Sequence, residues 1–257
     1  LTGLILRHLH PDDTVRVQGL ETIDPAYEGH FDLITSNIPF GDVSLFDPAF
    51  SSSRDPVRRQ GAWAIHNYFF MKSVDLVRAG GLIAFITSQG MADAERNRPV
   101  REWLMERCDL VAAVRLPNNL FTDHAGTEVG SDLIVLQKNS AARPLSERQR
   151  DFIETRTLSN GITVNNSFRS LDRVVQTSAK VGTNPYGKPA MEFTHAGGVE
   201  GIARALADML AEDMERHFNR ELYESHAPKT APRQYRERQT ETVSPRQAHD
   251  DIGQARN

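Results

Sequence analysis

The sequence predicts an α/β domain built on a mostly parallel sheet. Apolar, strand-like runs alternate with segments of helical periodicity along the first half of the chain. The most apolar of them, Leu82-Ile83-Ala84-Phe85-Ile86-Thr87, is continuous, as expected of a strand covered on both faces. The 257 residues are 39% hydrophobic and 25% charged, enough for one large folded domain with a polar appendage.

Leu1 to Leu9 reads as a short helix that Pro11 stops, and Val15 to Val17 as a short strand. Phe31-Asp32-Leu33-Ile34-Thr35 is a compact strand, followed by a turn at Asn37 to Gly41. Residues 42–61 are rich in Ser, Asp, Pro and Arg and read as a long loop. Trp63 to Arg78 is the clearest helix, ended by Ala79-Gly80-Gly81. Val100 to Arg107 is a second amphipathic helix, and Leu110 to Leu116 and Asp132 to Gln137 are further strands. Beyond Lys138 the pattern loosens. Phe152 to Leu158 and Met191 to Thr194 are short strand candidates, and Val199 to Phe218 is helical. Three parts follow: a partial catalytic domain over 1–138, a linker and helical extension over 139–224, and a disordered tail over 225–257.

Composition narrows the function classes. A net charge of −4 gives no global basic field, so any nucleic-acid partner is met by a local patch. The single cysteine, Cys108, excludes a disulfide framework or a cysteine-rich zinc site, and fits a reducing, cytoplasmic setting. The nine histidines show no metal-ligand spacing, so no metal is expected. No apolar run reaches the roughly 20 residues of a membrane span. The chain starts Leu1-Thr2-Gly3, with no initiator methionine and no signal-peptide layout, and reads as a protein cut at its start.

Chemistry is concentrated in Ser36-Asn37-Ile38-Pro39-Phe40-Gly41. A strand ends and presents an Asn, a Pro and an aromatic in succession, at the end where open α/β sheets bind ligands. An exocyclic amino group on a base is a poor nucleophile because its lone pair is delocalised into the ring. Two acceptors on its hydrogens localise that pair. The Asn37 carboxamide oxygen and the Ile38 backbone carbonyl are the candidates, with Pro39 stiffening the turn and Phe40 offering a ring to stack on an extruded base. An ordinary Asn-x-Pro turn is the bland alternative.

The segment resembles the Asn-Pro-Pro-Tyr/Phe signature of the S-adenosylmethionine-dependent adenine-N6 DNA methyltransferases, with Ile38 at the first Pro. Ile65 to Ser88 resembles that family's helix-Gly-Gly-strand unit, and Leu116 to Phe121 with Gly126 to Lys138 its late hairpin. The resemblance covers roughly residues 1–138 and implies a Rossmann-like fold lacking its first strands. It implies S-adenosylmethionine as cofactor and transfer of its methyl group to N6 of adenine in DNA. It places Phe69 against the cofactor adenine, with core packing as the alternative, and Phe121 over the flipped base, with loop packing as the alternative. Glu21, or Gln18, stands where a cofactor-contacting polar residue is often found. The family's Gly-rich cofactor loop and ribose-binding acidic residue are not in these 257 residues, so the fragment alone is expected to be inactive. The longer stretch is also similar to methylase segments of plasmid and conjugative-element proteins, some fused to a helicase. That implies DNA, and a helicase domain in the same longer chain, as partners.

Rival readings are methylation of an RNA base or a protein glutamine, or a non-catalytic nucleic-acid-binding module. Arg54, Arg58 and Arg59 are candidates to meet phosphates, or simply face solvent. His66 reads as a packed or surface histidine rather than a base, Cys108 as a buried apolar residue, and Asn184-Pro185-Tyr186-Gly187 as a turn.

Overall fold

The computed structural model describes residues 2–41, 43–122, 126, 128–183, 187 and 189–227. Outside them lie the expected disordered tail from 228 on, Asn184-Pro185-Tyr186 of the expected turn, and Thr127 of the late hairpin. By its contacts Leu1–His226 forms one unit.

The elements run α1 (Thr2–Leu9), β1 (Phe31–Asn37), α2 (Pro48–Ser51), α3 (Pro56–Gly61), α4 (Ile65–Leu76) and β2 (Val77–Ser88). Then come α5 (Gly90–Asp93), α6 (Arg98–Met105), β3 (Cys108–Leu116) and β4 (Ser131–Lys138). The last are α7 (Glu147–Ile153), β5 (Thr155–Thr157), β6 (Thr163–Asn165), β7 (Ser178–Thr183), β8 (Pro189–Thr194), α8 (Gly198–His217) and α9 (Arg220–Ser225). The main sheet has the order β1-β2-β4-β3, and β5-β6 and β7-β8 are separate hairpins. The α/β class is as the sequence predicts, and the sheet is mixed. β1 and β2 are parallel, whereas β4 is antiparallel to both its neighbours. Among the described residues the β3–β4 connection holds only the 3-10 turn Asn118–Phe121, as suits an antiparallel pair, which needs no crossover helix.

Alternation along β2 explains why its sequence is apolar throughout. Ile83 and Phe85 enter one core with Phe70, Met71 and Val74 of α4 and Val100 and Leu104 of α6. Leu82, Ala84 and Ile86 face the other side, under Ile202, Leu206, Met209, Leu210 and Met214 of α8. The helix expected over 199–218 therefore forms, and it supplies the second layer over β2, β4 and β3.

Several local expectations shift. Val15–Val17 is not a strand, and Val17 is exposed. A three-residue alternation has no neighbouring strand to pair with among the described residues. The helix expected over 63–78 stops at Leu76, where Val77 takes an extended backbone, and Ala79-Gly80-Gly81 lies inside β2. Gly80 has φ +76°, and a Cβ there would stand 2.4 Å from the Leu222 carbonyl oxygen of α9. The glycine pair thus serves the docking of a distant helix, not a helix end. The long loop over 42–61 contains two short helices, each started by an Asp side chain, Asp47 or Asp55, that caps it and by a Pro in its first turn. Phe152 begins no strand: Ser146 and Gln149 form a reciprocal capping box that makes 147–153 helical.

Arg115 is almost fully buried, at 2% exposure. It donates to Asp132 at 2.8 and 3.1 Å and to Asp93 at 2.9 Å, and lies 4.1 Å from the Phe168 ring centroid. Burial alone would lower its pKa; the two carboxylates outweigh that and hold it charged, above the ordinary arginine value. The Asn165 N–H also donates to Asp93 at 2.8 Å, and the Val175 N–H to the Arg115 carbonyl at 2.9 Å. The segment from β6 to Val175 is thereby fastened to the outer edge of β3.

Candidate active site

Asn37 is the last residue of β1 and is exposed. The next residue turns back into the sheet. The Ile38 N–H donates to the Ile86 carbonyl at 2.9 Å, and its side chain is 1% exposed within the main core. An aliphatic side chain at this position therefore anchors the turn by burial, worth about 2 kcal/mol for a side chain of this size. Pro39 and Phe40 follow on the surface, Phe40 at 38% exposure. The fold puts this turn at the carboxyl ends of the parallel pair β1 and β2.

Phe121 comes from the other side of the sheet, in the short 3-10 turn Asn118–Phe121 after β3. Its ring meets Phe40 edge to face, with centroids 5.9 Å apart. Two aromatics separated by 81 positions in the chain are thus in contact. The Phe121 turn is held from the C-terminal half of the chain. Asn118 Oδ1 accepts from the Phe193 N–H at 3.0 Å. Asn119 Oδ1 accepts from the His195 N–H, and its Nδ2 donates to the His195 carbonyl, both at 3.1 Å. Sequence reasoning passed over Asn118 and Asn119. Their only signal is two adjacent amides in a loop after a proline.

Phe69 is half-buried against the main core, its ring 6.4 Å from that of Tyr68. Glu21 sits in the 3-10 turn Leu20–Thr22, whose Leu20 packs on the same core, and Gln18 is exposed. Burial, then the bond to Asp47 and the charges of Asp47, Glu21 and Asp75, push the Tyr68 phenol well above its ordinary value. Because Leu20 packs on the core that α4 fills, the turn carrying Glu21 lies on the α4 side of the sheet, as Phe69 does.

Of the three loop arginines, Arg54 and Arg59 are exposed. Arg58 is committed to the fold: it makes a bidentate bond to Asp75, 2.8 Å on each branch, and lies 4.2 Å from the Phe50 ring centroid. His66 is buried, with Nε2 3.2 Å from Asn97 Nδ2. Cys108 is buried, and burial pushes its thiol up to about 12. No cluster of three or more metal-ligating side chains occurs among the described residues. No helix among them is long and apolar enough to cross a membrane. A cavity of about 550 Å³ beside Arg148 and Arg173 and one of about 1040 Å³ beside Arg107 and Arg143 are lined by none of Asn37, Phe40, Phe69 and Phe121.

The family model described as N-6 DNA methylase matches residues 4–203. The chain belongs to the N-6 DNA methylase family. The match extends beyond Lys138, so the segment that holds Phe121 in place lies largely within the family's own span. The family expected from the Asn37–Gly41 and Ile65–Ser88 segments is thus the family found. Among solved structures, the chain is similar to the M protein of the type I restriction enzyme EcoKI, with 15% identity over 92% of this chain and 60% of that one, TM-score 0.41. It is similar to a modification subunit of a putative type I restriction enzyme from Vibrio vulnificus, with 14% identity over 68% and 39%, TM-score 0.37. It is also similar to a putative class I S-adenosylmethionine-dependent methyltransferase from Listeria monocytogenes, with 16% identity over 45% and 34%, TM-score 0.36. The chain thus spans 34% to 60% of the length of these three. No curated protein matches the sequence.

Proposed function

We propose that this chain carries the base-binding half of an enzyme that methylates N6 of adenine in DNA. One observation supports this reading above the others: Asn37 stands exposed at a strand end, three residues before Phe40, whose ring is in contact with that of Phe121. In this reading the N6 amino group donates one hydrogen to the Asn37 carboxamide oxygen and the other to the Ile38 carbonyl. Both bonds draw the nitrogen lone pair out of conjugation and orient it. Burial of the Ile38 side chain fixes its backbone, so the second acceptor costs little to position. Phe40 offers its face to the extruded base, a stacking contact worth roughly 1–3 kcal/mol, and Phe121, edge-on to Phe40, closes beside it.

S-adenosylmethionine, when bound, supplies the methyl group. Phe69 fits the adenine of that cofactor in kind, as a half-buried ring, and Glu21, or Gln18, is a polar contact to the cofactor. The division into a catalytic part over 1–138, an extension over 139–224 and a tail over 225–257 belongs to the same reading. So do DNA as partner, and a helicase domain elsewhere in a longer chain.

The test is single-turnover methylation by the complete protein on oligonucleotides whose only amino-bearing target is adenine or cytosine. Asn37→Ala is expected to lower the methylation rate at least a hundredfold while DNA affinity holds. Phe40→Ala weakens capture of the base, and Phe40→Tyr is tolerated. Near-full activity of Asn37→Ala, or methyl groups on cytosine, RNA or protein, would sink the reading.

A further inference from the structure

Two of the most exposed large apolar side chains in the described chain are aromatic and lie on two hydrogen-bonded stretches of backbone. Phe46 is 75% exposed and Trp63 is 68% exposed. The Leu45 N–H donates to the Ala62 carbonyl at 2.9 Å, which joins the two stretches that carry them although 17 positions separate the two aromatics. Leu45 and Ala62 turn inward to the main core, and the next residue on each strand of chain turns outward.

The scaffold beneath the pair is braced. Asp47, 1% exposed, caps α2 and accepts from Tyr68 and Lys72. Asp55 caps α3 and accepts from the Trp103 indole at 2.7 Å, and Arg58 is clamped by Asp75. Exposed aromatics on such a base were not left out for want of local order.

Charge selects the occupant. The acidic side chains described in this segment, Asp47 and Asp55, are spent on internal bonds, whereas Arg54 is exposed and Arg59, also exposed, gives one donor to the Ser53 carbonyl. Exposed rings and exposed guanidinium groups on one short segment, with its described carboxylates withdrawn, match a nucleic acid strand, which offers π-faces and phosphates together. The segment also begins at the turn that ends in Phe40 and Gly41.

We propose that Phe46 and Trp63 form a stacking platform for bases flanking the target nucleotide, with Arg54 and Arg59 on the adjoining phosphates. The proposal rests on the reading of the chain as a DNA methylase and assigns it a second set of base contacts, distinct from Phe40 and Phe121.

The chain contains two tryptophans, and Trp103 is only 5% exposed, so iodide quenching reports Trp63. The 257-residue chain is titrated with a single-stranded and a duplex oligonucleotide, followed by iodide quenching and by anisotropy of a labelled strand. Oligonucleotide is expected to shield the tryptophan signal from iodide. Trp63→Phe loses that signal yet binds within about twofold of the parent. Trp63→Ala and Phe46→Ala each weaken binding roughly five- to hundredfold. Arg54→Ala lowers the slope of log affinity against log salt by about one. Circular dichroism is expected to be unchanged in all four. Binding with Trp63 still open to iodide, and with both Ala variants unimpaired, overturns the platform and leaves the methylase reading standing. No binding to either oligonucleotide at low salt overturns both. Self-association that Trp63→Ala abolishes, without effect on oligonucleotide binding, makes the occupant a second copy and overturns the platform.

Discussion

The Tyr68 hydroxyl donates to Asp47 at 2.7 Å, joining the middle of a core helix to the loop that leaves the candidate catalytic turn. The same carboxylate accepts from Lys72 at 3.3 Å and from the Ala49 N–H at 2.7 Å. Burial would raise the Asp47 pKa, but these donors outweigh it and hold it below its ordinary value. Asp47→Ala leaves the phenol and the ammonium without their acceptor. It is expected to cost about 2–4 kcal/mol by urea unfolding, against about 1 kcal/mol for Tyr68→Phe. A carboxylate held below its unfolded value contributes fully above that value, near pH 4, and its contribution fades as pH falls through the folded one. Stability should therefore fall as pH drops below about 4 in the parent and less steeply in Asp47→Asn. An identical acid limb in both proteins would contradict this.

Asn119 touches no candidate substrate contact, yet its amide grips both backbone groups of His195 and so places the Phe121 turn. It is a positioning residue. In the complete enzyme Asn119→Ala should raise KM for the oligonucleotide several-fold with a smaller change in kcat, and Asn119→Asp should restore only the bond accepted from the His195 N–H. Equal losses in kcat and in thermal stability, with KM fixed, would mean a purely structural role.

Gly80→Ala combines a positive φ with a Cβ pressed on the backbone of Leu222. A cost of about 2 kcal/mol or more is expected, read as a lower urea midpoint, because backbone cannot yield as a side-chain tip can. Increased proteolysis near Arg220–Ser225 should accompany it as the last helix lifts. Gly29, also at positive φ but with open space around it, should lose no more than about 1 kcal/mol on the same change.

The Gly-rich cofactor loop is not among the 257 residues, so calorimetric titration of this chain with S-adenosylmethionine should show weak binding or none. Micromolar affinity would mean that the cofactor site is built from residues other than Phe69 and Glu21.

Burial pushes the Cys108 thiol up to about 12, with Lys138 and Arg107 pulling weakly the other way. A thiol reagent at pH 8 should therefore leave the native chain unmodified and label it at the rate of unfolding. Fast labelling in native buffer would refute the burial of this strand.

How much of this was legible in the residues depends on how local each cause is. β2 and α8 were readable because continuous apolarity and 3.6-residue periodicity are written in the segment itself. The turn at Asn37 was readable because strand end, Pro and aromatic are contiguous. The role of Gly80 was not, since the Leu222 backbone that demands it lies 142 positions away. The antiparallel setting of β4 was equally hidden, because direction depends on the connection and not on the strand. The two capping aspartates, Asp47 and Asp55, each stand just before a Pro and were the missed local signal in a stretch read as loop.

The ring of partners around Arg115 dictates an order of events during synthesis. Asp132 is made 17 residues after Arg115, and Asn165, Phe168 and Val175 come later still. A nascent chain ending near Lys138 would present β3 as a bare sheet edge, its guanidinium roofed on one side only. Such an edge invites pairing with other chains until the segment through Val175 covers it. Synthesis of the segment after residue 160 is therefore the step at which the β3 edge is closed to other chains, and pausing the ribosome before it should leave the chain more dependent on chaperones.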